Sequence, residues 1–293
     1  MSAQIIDGRV LAAKVKTRLL QDIKTLKKNH NIVPGLAIVR VGHHMPSQIY
    51  VASKSRQCEE LGILPFTHHL DEDTPLETIL SLILRLNEDP QVHGIIVQLP
   101  LPKHIDPFDV IKNIDPYKDV DGLHPENQGY LMMGSPRFIP CTPLGCVEIL
   151  KSIKYPIKGA HAVVVGCSNL VGKPLSMMLL NLDATVTIIH RQTRNPDEIC
   201  RQADILVVAA GHAHLVQKSW IKPGAVILDV GINHRVDAKG GPSILGDVSF
   251  EDARSIAGYI TPVPGGVGPV TVAYLLSNTV ASARAFAERH KPL

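Results

Sequence analysis

Between Asp7 and about Lys28, the residues Leu11, Val15, Leu19, Ile23 and Leu26 recur every three to four positions with Lys and Arg between them. That spacing predicts an amphipathic surface helix. Pro34-Gly35 interrupts the pattern, and residues 36–41 form an apolar run of strand length. Pro46-Ser47 followed by 48–61 reads as a helix stopped at Gly62. A strand near 63–69, a helix over 75–87 and the apolar strand Gly94-Ile95-Ile96-Val97-Gln98 continue the alternation. Strand and helix by turns, with strands apolar on both faces, predict a parallel sheet covered on each side.

Residues 115–143 break this rhythm with Pro, Gly and Asp, so the functional loops and the lobe boundary are expected there. A second series then begins, with strand-length apolar runs at 162–165, 184–189, 205–210 and 225–230. Helical or turn-rich stretches separate them, as in a Rossmann-like half. A heavily punctuated loop covers 260–269, and a last helix runs from Val270 to about Arg289. The expected fold class is α/β, with two lobes built on parallel sheets, the second Rossmann-like and NAD(P)-binding, and an active-site cleft between them. The expected division is 1–140, 141–269 and a helix over 270–293 returning to the first lobe.

Composition narrows the function classes. The 293 residues are 45% hydrophobic and 19% charged, enough for real cores and too few charges for a disordered chain. A net charge of +3 calls for neither nucleic acid nor an anionic membrane as partner. No apolar stretch approaches the length of a membrane span. Five cysteines, odd in number and without Cys-x-x-Cys, fit a reducing cytoplasm. Cys141 and Cys146 read as buried thiols. The histidine pairs His43-His44, His68-His69 and His212-Ala-His214 lack metal-ligand spacing and are not expected to converge, so no metal is expected.

Candidate chemistry lies at five places. Gly166-Cys167-Ser168-Asn-Leu-Val-Gly172 follows a strand and opens a helix, the setting in which backbone N–H groups receive a phosphate. Its spacing is one residue longer than the usual dinucleotide fingerprint, and a bare structural turn is the alternative. The next strand ends in His190-Arg191, not in the carboxylate that accepts an NAD ribose. A cation there favours a 2′-phosphate, hence NADP, unless Arg191 is simply a solvated side chain. Tyr50 and Lys54 share one helix face; they read either as a substrate platform with a proton-moving amine or as a snorkelling surface pair. Such an amine acts near neutral pH only when its surroundings lower its pKa. Gln98 ends an apolar strand and must find a polar partner; it reads either as reaching that lysine or as a satisfied strand-end amide. Asp121 in Lys118-Asp-Val-Asp-Gly122 can accept two parallel hydrogen bonds from an amino-pyrimidine ring, or form a turn. Pro264-Gly265 lies in a loop whose glycines let a ligand approach the backbone, or which is a rigid connector.

Taken together, 46–54, 94–102, 118–122, 140–143, 166–174, 229–233 and 261–269 resemble the bifunctional methylenetetrahydrofolate dehydrogenase/methenyltetrahydrofolate cyclohydrolase family of one-carbon metabolism, the FolD type. The resemblance follows the family's order and spans nearly the whole chain. It implies oxidation of 5,10-methylenetetrahydrofolate with NADP, then hydrolysis of the methenyl cation to 10-formyltetrahydrofolate. It further implies Lys54 as catalytic acid/base, Tyr50 stacking on the folate, Gln98 orienting the lysine and Asp121 anchoring the pterin. Pro264 and Gly265 fall in the family's substrate loop, and Gly166, Cys167, Ser168 and Ile232 at its cofactor positions. Some members carry Arg where this chain has Cys167, which leaves the 2′-phosphate to Arg191. A homodimer joined through the cofactor lobes is also implied. The rival readings are a dehydrogenase without cyclohydrolase activity and a silent folate- or dinucleotide-binding sensor.

Overall fold

The computed structural model describes residues 2–236 and 242–289. Along the chain run β1 (Gln4–Ile5), α1 (Gly8–His30), β2 (Gly35–Val41), α2 (Met45–Leu61), β3 (Leu64–Leu70), α3 (Leu76–Glu88), β4 (Gly94–Val97), α4 (Pro107–Ile111) and α5 (Pro125–Met132). There follow α6 (Cys141–Ser152), β5 (His161–Val165), α7 (Gly172–Leu180), β6 (Thr185–Ile189), α8 (Pro196–Cys200), β7 (Ile205–Val208) and β8 (Val226–Asp229). The last elements are β9 (Asn233–Val236), β10 (Pro242–Leu245), α9 (Phe250–Arg254), β11 (Tyr259–Ile260) and α10 (Val267–Arg289).

The chain divides into two compact units, one of Met1–Ala13 with Pro140–Thr271 and one of Lys14–Ile139 with Val272–Leu293. This differs from the expected break after residue 140 at the very start of the chain. Residues 1–13 join the later α/β series because β1 pairs in parallel with β11, Gln4 opposite Tyr259 and Ile5 opposite Ile260. The unit boundaries at 13/14 and 271/272 fall inside α1 and α10.

In the unit of Lys14–Ile139, a three-stranded parallel sheet in the order β3-β2-β4 carries the core. On α1, Leu19, Ile23 and Leu26 are buried while Lys24, Lys27 and Lys28 are exposed, as the periodicity requires. The stripe Ile79, Leu82, Ile83 and Leu86 of α3 packs on Ala37, Val39, Ile95 and Val97 of the sheet. Each such side chain contributes about 1.5–3 kcal/mol on burial. Pro46 fits the first turn of α2, where its missing N–H costs nothing. Gly62 ends α2 at φ 80°, donating its N–H to the carbonyls of Cys58 and Glu59.

In the other unit, six parallel strands run in the order β1-β11-β8-β7-β5-β6. The chain leaves β5 for β6 on one side and returns to β7 on the other, so its direction reverses between β5 and β7. Such a reversal opens a crevice at the C-terminal strand ends. β9 and β10 form an antiparallel pair outside that sheet. The stretch expected as loop over 115–143 holds all of α5 and the start of α6.

Candidate active site

Tyr50 and Lys54 lie one turn apart on α2, both half-buried. Gln98 follows β4 directly, its backbone N–H donating to the Val39 carbonyl at 2.8 Å. Its side-chain NH2 donates to the Leu99 carbonyl at 2.8 Å, which turns the amide oxygen away from that carbonyl. Lys54 Nζ donates to this Gln98 Oε1 at 2.9 Å. The Leu99 carbonyl thus decides which face of the amide meets the amine. A neutral oxygen orients the amine without holding it charged, whereas a carboxylate in that place would favour the ammonium form. Burial holds the Tyr50 phenol above its ordinary pKa, so it stays protonated. Burial also pushes the Cys58 thiol up to about 12, which leaves it inert.

The segment 118–122 has a clear inside and outside. Lys118 is buried and donates from Nζ to the Leu86 and Asp89 carbonyls at 3.0 and 2.8 Å. Asp119 is buried as well, accepting from the N–H groups of Leu123 and His124 and from Asn127 Nδ2. Val120 is buried against Gly94, where an added Cβ would come within 2.8 Å of its methyls. Asp121 is half-buried, and its carboxylate makes no hydrogen bond among the described residues. A parallel bridge between Ile95 and Asp119 sends Asp121 out at the same sheet end as Gln98. From α10, Asn278 Nδ2 donates to the Val120 carbonyl at 2.8 Å and Ser282 Oγ to the Tyr117 carbonyl at 2.8 Å. These bonds fix the loop that presents Asp121.

The other unit carries a cradle made of backbone. Gly166 follows β5 at φ 119°, and a Cβ there would sit 2.2 Å from the Ala209 carbonyl oxygen, just past β7. At Gly172, opening α7, a Cβ would sit 2.0 Å from the Gly166 oxygen. Glycine is required at both positions by close approach. Cys167, Ser168 and Asn169 are exposed, and their backbone N–H groups donate to no acceptor among the described residues. Ser168 Oγ accepts from the Val171 N–H at 3.2 Å, shaping the turn. Unspent donors at a helix N-terminus over the β5/β7 crevice are what a dinucleotide's pyrophosphate needs, so the residues present fit that group.

Arg191 is exposed in the turn after β6, with no ion pair or hydrogen bond from its side chain among the described residues. Ile232 is 45% exposed and lines an open cavity of about 380 Å³ together with Gly211, Ala213 and Asn233, with His212, His234 and Arg235 also on its wall. Pro264 and Gly265 belong to this unit too. The Val263–Pro264 peptide is cis, Gly265 has φ 106°, and its carbonyl accepts from the Gly8 N–H at 2.9 Å. The Arg9 guanidinium, paired with both oxygens of Asp7, lies 3.7 Å from where a Cβ of Gly265 would be.

The structure therefore brings Lys54 and Gln98 into direct contact, with Tyr50 and Asp121 in the same unit, and places Gly166, Cys167, Ser168, Arg191, Ile232, Pro264 and Gly265 in the other. Sequence reasoning missed Asp119, which anchors the loop, and the buried pair Asp229 and Asp247. Burial first, then the Asp247 carboxylate, push the Asp229 carboxyl up to about 7 against three backbone N–H donors. Asp119 was legible only as half of an Asp-x-Asp pair, and nothing in the sequence spacing joins Asp229 to Asp247. One expectation about histidines is corrected: His43 and His69 do meet, edge to face at 5.6 Å, because β2 and β3 are neighbours. Among the described residues, no group of three or more His, Cys, Asp or Glu side chains is placed to hold a metal ion.

Residues 6–121 match the tetrahydrofolate dehydrogenase/cyclohydrolase catalytic domain, and 140–287 match the NAD(P)-binding domain of the same family. This chain belongs to the tetrahydrofolate dehydrogenase/cyclohydrolase family. It is 50% identical over 283 residues to the bifunctional protein FolD of Nitrobacter hamburgensis, covering 97% of this chain and 96% of that one. Among solved structures, it is similar to the bifunctional FolD methylenetetrahydrofolate dehydrogenase/cyclohydrolase of Campylobacter jejuni, with TM-score 0.92, 45% identity and coverage of 97% and 99%. It is also similar to the Trypanosoma brucei methylenetetrahydrofolate dehydrogenase-cyclohydrolase, solved with NADP and an inhibitor, with TM-score 0.94, 38% identity and coverage of 97% and 98%. The family's two domains account for the catalytic and NAD(P)-binding halves of the α/β fold, each on its parallel sheet.

Proposed function

We propose that Lys54 handles the proton in methenyltetrahydrofolate ring opening, that Gln98 orients it, and that NADP is the dinucleotide used. The activity itself follows from membership: the chain is a methylenetetrahydrofolate dehydrogenase and methenyltetrahydrofolate cyclohydrolase of folate one-carbon metabolism. The observation that carries the residue assignment is the 2.9 Å bond from Lys54 Nζ to an amide oxygen whose direction is set by Leu99.

When bound, the dinucleotide supplies the acceptor that turns the methylene bridge into the methenyl cation. Gly166, Cys167 and Ser168 would hold its pyrophosphate through backbone N–H groups, Arg191 its 2′-phosphate, and Ile232 the wall of the adjoining cavity. Tyr50 offers a ring face for the flat folate, and Asp121 accepts from the pterin's amino and ring N–H groups. Pro264 and Gly265 form the loop against the substrate. In ring opening, water adds to the methenyl carbon while the Lys54 amine takes its proton. The protonated Lys54 then returns that proton to N5 as the carbon–N5 bond breaks, and the adduct's hydroxyl proton leaves to solvent as the formyl C=O forms, giving 10-formyltetrahydrofolate. A cationic substrate repels an ammonium, so a neutral partner such as Gln98 suits this base better than a carboxylate.

Lys54→Ala should lower hydrolysis of preformed methenyltetrahydrofolate by about 10²–10⁴-fold with the fold intact. The decay of methenyl absorbance measures it, and unchanged decay would overturn the role given to Lys54. The reading includes a homodimer, for which sedimentation should give twice the 31.9 kDa of the chain. It also includes a cytoplasmic location, supported by free cysteines at all five positions and by the lack, among the described residues, of a helix long and apolar enough to cross a membrane.

A further inference from the structure

Two carboxylates that the proposed chemistry does not use lie beneath the cavity at Ile232. Asp247 is 0% exposed and Asp229 4%, and neither has an ion pair among the described residues. Their charge is met by backbone and amide donors. Asp247 Oδ2 accepts from the N–H groups of Ala210 and Gly211 at 2.7 and 2.8 Å, and its Oδ1 from Asn233 Nδ2 at 2.8 Å. Asp229 accepts from the N–H groups of Gly231 and Asp247 through Oδ1 and from that of Val248 through Oδ2, at 2.9 to 3.0 Å.

These donors come from three chain segments: the one after β7, the one after β8 and the one before α9. Gly211 and Asn233, each bonded to Asp247, line the cavity themselves. Glycine is demanded around the pair, since a Cβ on Gly231 would meet the Asp247 carboxylate at 2.3 Å and one on Gly246 the Asp229 oxygen at 1.9 Å. Burying two carboxylates side by side costs stability even where N–H groups satisfy them.

The position of the pair suggests what the charge does. In a doubly wound sheet, the group beside the second strand reads the adenosine ribose. Arg191 after β6 marks that half, so the nicotinamide half falls on the opposite side of the β5/β7 crevice, toward β7 and β8. That ring is cationic when oxidised and neutral when reduced.

We propose that the Asp247–Asp229 pair places buried negative charge, carried first by Asp247, under the nicotinamide side of the site, positioning its wall and favouring the cationic oxidised cofactor over the neutral reduced one. The inference rests on the reading of this unit as an NADP site. Calorimetric titration of the ligand-free protein with NADP⁺ and with NADPH tests it. Asp247→Asn keeps the shape and removes a charge, so NADP⁺ should bind about tenfold more weakly and NADPH less than threefold, as fits loss of a charge seen by only one of them. Asp229→Asn, titrated at pH 8 where the wild-type Asp229 is ionised, should shift the same selectivity in the same direction, and carries the test should Asp247→Asn not fold. Asn233→Ala leaves both charges in place and should weaken the two forms equally. Equal losses for NADP⁺ and NADPH in the aspartate variants, or no loss, would overturn the proposal. Wild-type protein that bound neither form would instead overturn the NADP reading beneath it.

Discussion

The two units solve their chemical problems with different parts of the chain. Around Lys54 the site is built from side chains: an amine on α2, an amide at the end of β4 and a carboxylate on a pinned loop. Around Gly166 it is built from backbone, with glycines at close approach, open N–H groups and buried carboxylates holding the loops from below. Side-chain chemistry can be altered one function at a time, because the group and its scaffold are separate. Backbone chemistry cannot, because the group is the scaffold.

Gly166→Ala should separate the two regions most sharply. With φ at 119° and only 2.2 Å to the Ala209 oxygen, the added methyl forces the turn to move. NADP⁺ affinity should fall by about a hundredfold or more, the sum of strain and lost N–H alignment, while hydrolysis of methenyltetrahydrofolate persists. Loss of both activities in step would erase the proposed division of labour. Gln98→Glu probes the other side. A carboxylate 2.9 Å from the amine would hold Lys54 charged, so ring opening at neutral pH should drop about tenfold and its pH profile move upward by about one unit or more. A profile that stayed in place would show that the neutrality of Gln98 is immaterial.

Arg191→Ala should weaken NADP⁺ about tenfold and NAD⁺ within about twofold; equal losses would move the 2′-phosphate elsewhere. The smallest effect concerns pH. His93, 3% exposed in the unit of Lys14–Ile139, is pushed down to about 4 by burial and then by the Lys118 ammonium. Its stabilising contribution is complete above its ordinary value of 6.5 and is lost as pH falls toward 4. Asp229, raised to about 7 from 3.8, has the opposite sign: its contribution is complete below 3.8 and is lost as pH rises through 7. Between pH 7 and 5 the two groups should therefore oppose each other. His93→Asn should raise the relative melting temperature at pH 5, and Asp229→Asn should raise it at pH 8, each by a few degrees. Shifts of the reverse sign would refute the burial argument.

Legibility from sequence follows the same split. The apolar runs at 36–41 and 162–165 lie wholly within β2 and β5, and the run at 205–210 holds β7, which ends at Val208; continuous apolar runs of this length suit strands buried on both faces. The shared face of Tyr50 and Lys54 and the need of Gln98 for a polar partner were accessible because helical spacing and a polar residue ending an apolar strand are local signals, whereas the roles proposed for them came from the family resemblance. α5 and α6 were hidden by Pro and Gly in their sequences, and β1 by its length of two residues, since its partner lies some 255 positions away. In 118–122 the composition marked a loop, but only packing distinguishes Asp119, which holds it, from Asp121, which it presents. Asp229 and Asp247 meet through tertiary contacts alone.

The stacking of Gly172 on the Gly166 oxygen also bears on redesign. An engineer wishing to change which dinucleotide the protein accepts has no room at Gly166 or Gly172, where a single extra carbon collides with main chain. The latitude lies at the exposed side chains of Cys167 and Arg191, while His190 and Thr193 hold the second turn through the bond from the His190 N–H to Thr193 Oγ1.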